Sequence, residues 1–125
     1  MKHVACLIFL VSCFASVGWA DQATELDAER AAHFESKIRP VFATTCIKCH
    51  GPDKQEGELR LDTKASLLKG SESGEVIVAG KPDESLLLSA LKYDGLDMPA
   101  KAPLSPEKIR EFELWIGGVA VWPEW

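Results

Sequence analysis

The sequence predicts a small all-α domain: several short helices joined by ordered loops, with little sheet. Three observations carry this. Apolar residues recur at helical spacing in two stretches, Phe34/Ile38/Val41/Phe42 and Ile109/Phe112/Ile116. Capping and breaking residues stand where such helices should start and stop, while the alternating stretch Leu59-Arg60-Leu61 is too short to establish a strand. The 125 residues, 46% of them hydrophobic, suit one globular domain and leave no room for a second core.

Asp27–Arg39 reads as the first helix, with Phe34 and Ile38 on its apolar side. Pro40 cannot continue the hydrogen-bond ladder, so it predicts a kink, or a restart with Pro40 at the first helical position. That restart carries Val41–Thr45 into a cysteine motif. Gly51–Gly57, rich in Gly, Pro and charge, is a loop. Asp62 is the expected cap of a short helix over Thr63–Lys69, which Gly70 ends. Ser71–Gly74 is a turn and Val76-Ile77-Val78 a brief extended run. Asp83–Lys92 is the next helix, with Leu87, Ala90 and Leu91, or Leu86 and Ala90, facing inward. Asp94–Leu104 is irregular, holding Gly95, Pro99 and Pro103. Ser105-Pro106 then starts the last helix, cap followed by proline, and Gly117-Gly118 stops it. Trp115 borders its apolar stripe. Phe34 and Phe112, on the first and last helices, are expected to be buried together where those helices cross.

Met1–Ala20 has the pattern of a secretory leader. Lys2 and His3 precede an apolar run, and Gly18 and Ala20 occupy the small positions of a cleavage site. The expected division is a leader over 1–20, a lead-in over 21–30, the domain over 31–123 and an end segment over 124–125. The protein is then exported, to the periplasm or another extracytoplasmic space, without membrane attachment after cleavage. Two other readings stay open. Leu10-Val11-Ser12-Cys13 resembles a lipobox, which would place a lipid anchor on Cys13. An uncleaved anchor would need Val4–Ala20 to span a bilayer, for which it is short. Cleavage removes Cys6 and Cys13 and leaves Cys46 and Cys49, too few for a disulfide scaffold. With 14 Lys+Arg against 19 Asp+Glu the chain is acidic and carries no basic stripe, so no nucleic-acid partner is expected.

Cys46-Ile47-Lys48-Cys49-His50 is C-x-x-C-H, the attachment sequence of c-type haem. On a helical turn, positions i, i+3 and i+4 share a face, so two sulfurs and an imidazole can converge. The thiols can add across two haem vinyl groups, and neutral His50 can ligate the iron. Two further readings remain at this point. His33 makes up a Cys2His2 zinc set by count, though without paired spacing. A redox dithiol would need a neighbouring βαβ pattern, which is not visible. For the second axial position, Met98 is the one methionine beyond the initiator and lies in a Pro-containing loop. His33 is the alternative, giving a bis-His site of lower potential. Arg60, Lys81 and Lys101 read as solvated charges rather than propionate partners.

These residues stand in longer stretches that resemble the planctomycete-type cytochrome c domain family: FESKIRPVF (34–42), CIKCHGP (46–52), GELRLD (57–62), GKPDESLL (80–87), Met98-Pro99, Leu104-Ser105 and Ala120-Val121-Trp122-Pro123. The resemblance covers most of Ala31–Pro123. It implies a class I cytochrome c-like fold, with first and last helices crossing beside one covalently bound haem c. It implies thioethers at Cys46 and Cys49 and iron ligation by His50 and Met98. In this family the domain commonly opens a longer protein, so a free-standing cytochrome and a piece of a longer chain are both open.

The expected function is single-electron transfer with redox partner proteins, without bond chemistry. An iron whose sixth position is open would instead make a sensor; a peroxidase-like role lacks a distal Arg/His pair. A third reading is a haem-containing recognition module tethered to a larger exported enzyme. Because so short a chain builds only a modest core, the haem-free protein is expected to be poorly folded.

Overall fold

The computed structural model describes residues 19–124. The expected leader lies outside them except for Trp19 and Ala20, and so does the candidate lipid site at Cys13. Helix α1 (Trp19–His33) begins ahead of the expected Asp27 and takes in the expected lead-in. Residues 22–29 are all exposed, so this part of α1 is a solvated helix that continues into the packed part of the chain.

Beyond His33 the helix does not break. It widens into a π-turn over Phe34–Ile38, narrows through α2 (Arg39–Val41) and widens again over Phe42–Cys46. The backbone N–H of Arg39 reaches the carbonyl of Phe34, and that of Ile47 reaches Phe42 at 3.0 Å. The cause is Pro40, which has no N–H to give and whose ring needs room against the preceding turn. The expected restart is present, with Pro40 at the start of α2. Side-chain hydroxyls bond carbonyls on both sides of it: Ser36 Oγ donates to Ala32 O and Thr44 Oγ1 to Pro40 O, each at 2.8 Å. One helical run thus delivers Cys46.

Helix α3 (Lys64–Lys69) is capped by Thr63, not Asp62. Thr63 Oγ1 accepts from the Ser66 N–H at 3.1 Å, while both Asp62 carboxylate oxygens are taken by Arg60 at 2.9 and 2.6 Å. Gly70 ends α3 at φ 84°, and a Cβ there would sit 2.5 Å from the Gly74 carbonyl oxygen. The expected single helix over Asp83–Lys92 is two pieces, a 3₁₀ turn at Pro82–Glu84 and α4 (Leu86–Leu91). Ser85 between them is extended and fully buried. Its hydroxyl accepts from the Val78 N–H at 2.9 Å and donates to Lys81 O at 2.9 Å, while Leu87 N donates to Val76 O at 3.0 Å, so both ends of the apolar run Val76–Val78 are bonded without a strand. Among the described residues β-pairing is confined to two isolated bridges, His50 with Gln55 and Ser71 with Gly74.

Helix α5 (Pro106–Gly117) starts as expected, with Ser105 Oγ accepting from the Lys108 N–H. Its buried residues are Phe112, Trp115 and Ile116. Phe34 and Phe112 are both fully buried, within a larger aromatic cluster. Phe42 lies 5.4 Å from Phe112, Phe34 lies 5.5 Å from Trp115, and Trp122 stacks on Phe42 and approaches Phe34 at 4.6 Å. The tail is fastened by Trp115 Nε1, which donates to Val121 O at 2.8 Å. Arg39, paired with Glu35, covers the cluster with its guanidinium 4.9 Å from the Phe34 ring centre and 5.6 Å from that of Trp122. The all-α architecture is therefore as expected, a long interrupted helix with the last one packed against it. No helix among the described residues is long and apolar enough to cross a membrane.

Candidate functional site

Cys46 closes the second π-turn, and its carbonyl accepts from Cys49 N at 3.1 Å and His50 N at 2.9 Å. Those two bonds make Cys46–His50 one helical turn, which puts residues 46, 49 and 50 on a common side. The chain must then leave the turn sharply. A Cβ on Gly51 would lie 2.5 Å from the Ile47 carbonyl oxygen, so only glycine fits. The loop folds back over the motif: Glu56 N donates to Cys49 O at 2.9 Å and Leu61 N to His50 O at 2.8 Å. It also fixes the histidine. His50 Nδ1 lies 2.9 Å from the Glu56 carbonyl oxygen, which can only accept, so Nδ1 carries the proton and Nε2 keeps its lone pair for a ligand.

Cys46, Cys49, His50 and Met98 all line one open cleft of about 300 Å³. Its walls are apolar, among them Leu59, Leu61, Val76, Leu87, Leu91 and Leu96. The charged residues that line it are Glu56 and Glu72; neither lysine nor arginine does. Arg60 is paired with Asp62 and Lys81 with Glu84, Lys101 is exposed, and none of the three lines the cleft. Met98 reaches it from the irregular segment after α4, where its N–H donates to the Ala90 carbonyl at 3.1 Å. The Tyr93 hydroxyl donates to the Pro99 carbonyl in the same segment. Neither Glu56 nor Tyr93 emerges from sequence reasoning. Glu56 acts through its backbone, which leaves no side-chain signal. Tyr93 is the chain's only tyrosine and precedes Met98 by five residues, a usable signal.

His33 is elsewhere. Its Nε2 lies 3.1 Å from the Glu111 carbonyl oxygen and 3.3 Å from that residue's carboxylate, on the α1–α5 side. The Cys2His2 zinc reading therefore loses its fourth donor, and the bis-His reading loses its second imidazole. Among the described residues no three or more His, Cys, Asp or Glu side chains are placed to hold a metal ion between them. Burial pushes the Cys46 thiol up to about 11, the opposite of the low value that activates a redox dithiol. Haem fits this donor set. It needs two thiols spread along an apolar wall, an imidazole with a free Nε2 and, for a thioether ligand, a methionine at the same cleft.

Residues 46–101 match the family model described as Planctomycete cytochrome C. No curated protein and no solved structure matches the chain. The match opens on Cys46 and runs past Met98, so it contains all four residues at the cleft and the L-R-L-D stretch, while the stretches at 34–42 and 120–123 fall outside it. It carries haem binding and electron transfer at the level of the family. The family whose model residues 46–101 match is thus the one that the sequence resembles.

Proposed function

We propose that the protein is an exported electron carrier with one covalently attached haem c, its iron held by His50 and Met98. The observation that carries this reading is the meeting of Cys46, Cys49, His50 and Met98 at one apolar cleft. The haem, when bound, supplies an iron that takes up and gives back one electron. The chain's own residues do the rest. Cys46 and Cys49 tether the group by their sulfurs. His50, held by the Glu56 carbonyl, offers Nε2 and needs no reorientation between oxidation states. Met98 offers a thioether, which favours the reduced state relative to a second imidazole. Leu59, Leu61, Val76 and Leu91 offer the group an apolar wall. Partner proteins would exchange electrons at its open side. Export of the chain accords with the leader pattern in Met1–Ala20.

The test is production in a host with c-type maturation, followed by denaturing electrophoresis and ferric and ferrous spectra. Haem that stays with the denatured chain is the expected result, and its absence overturns the proposal. Rapid carbon monoxide binding by the reduced protein would overturn Met98 ligation and favour an open-site sensor.

A further inference from the structure

Met98 stands on a lightly held part of the chain. Residues 94–97 are all exposed, and Met98 itself is only half-buried. Three bonds tie the segment back: Asp94 N donates to the Ser89 carbonyl at 2.9 Å where the segment leaves α4, and two more close its far end. Met98 N donates to the Ala90 carbonyl at the end of α4, and the Tyr93 hydroxyl donates to the Pro99 carbonyl. The Met98 bond holds the residue's own backbone; the Tyr93 bond spans the whole exposed stretch and closes it into a loop just after Met98. Tyr93 also has a left-handed backbone, φ 59°, a conformation that favours glycine or asparagine. A tyrosine there is explained by what its side chain reaches. We propose that Tyr93 is a positioning residue for the sixth ligand: by fastening Pro99, its hydroxyl holds the Met98 thioether at the cleft against competing ligands. This rests on the ligation proposed above. Without the hydroxyl the loop opens more often, and an external base gains access whenever Met98 is away.

The experiment compares wild-type holoprotein with Tyr93→Phe, using imidazole as the competing base. Phenylalanine keeps the ring and removes only the donor. Wild type is expected to show the weak ferric methionine–iron band at the red edge of the visible. Tyr93→Phe is expected to keep that band without imidazole and to bind imidazole roughly fivefold more tightly, the weight of one hydrogen bond. Thr63→Ala, which removes the α3 cap far from Met98 in sequence, controls for general loosening and should leave imidazole affinity unchanged. An affinity in Tyr93→Phe within twofold of wild type overturns the proposal, as does an equal gain in Thr63→Ala. A wild-type protein that holds haem but lacks the band overturns the Met98 ligation itself, a separate failure read in a separate measurement.

Discussion

His50 and Met98 enter the cleft on unequal footings. The imidazole is held at the end of a rigid helical turn with its Nδ1 tied to a backbone carbonyl, whereas the thioether rides on an exposed segment. The bond from His50 runs to the Glu56 main chain, so Glu56→Gln should leave haem attachment and the ferric spectrum unchanged. Met98→Ala should abolish the red-edge band and lower the reduction potential, read by spectroscopic titration against mediators. Identity and spacing singled out Cys46, Cys49, His50 and Met98 in the sequence, and the structure brings all four to one cleft, where the proposed thioethers and iron ligation would use their side-chain atoms. Glu56 was not legible, since its bond to His50 uses a backbone carbonyl, and Tyr93 was legible only in part: its place five residues before Met98 is visible, its reach to the Pro99 carbonyl is not. Charge pairing adds a pH signature. Arg60 beside Asp62 holds its carboxyl below the ordinary value near 3.8. A depressed pKa stabilises the fold above the unfolded value and loses that contribution as pH falls. The holoprotein should therefore be more stable than Asp62→Asn near neutral pH, and the gap should close below about 3.8 in denaturant titrations.

At the scale of elements, the helices that were legible are those with both a cap and an apolar stripe. Ser105-Pro106 and the Phe112/Ile116 stripe placed α5. The π-turns around Pro40 were only half legible: proline announces a disturbance, but whether the ladder breaks or widens depends on what packs outside it. Here Phe34, Ile38 and Phe42 are anchored in the core, so widening keeps all three buried where a break would not. Asp62 was misread as a cap because its competitor, Arg60, is a matter of side-chain geometry. The tail is the larger omission. Trp122 is buried among Phe34 and Phe42 and joins the first helical run to the chain's end. Trp122→Ala should destabilise the holoprotein by roughly 3–5 kcal/mol in chemical denaturation, as large-to-small changes in aromatic cores do.

For the whole molecule, one hydrophobic core runs from the aromatic cluster, which joins α5 to the first helical run, to the cleft walls at Leu61, Val76, Leu87 and Leu91. Those walls face open space that the proposed haem would fill, and without it that side of the core would lack its partner surface. A Cys46→Ala/Cys49→Ala variant should therefore lose much of its helical circular dichroism; a native-like spectrum would count against this. The proposed export and cleavage predict Asp21 as the N-terminus of the mature protein, read by mass spectrometry.

The cleft's acidic lining has a consequence for salt. Glu72 and Glu56 are the charged groups on its walls, Glu56 paired with Lys54 at 2.6 Å, within a chain of net charge −5. Negative charge near the proposed haem iron would favour its oxidised form, opposing the preference that a Met98 thioether would give to the reduced one. Counter-ions screen that field most where the groups are exposed, as both glutamates are. The reduction potential should therefore rise with ionic strength. The rise should be smaller in Glu72→Gln, whose potential at low salt should already lie above that of the wild type.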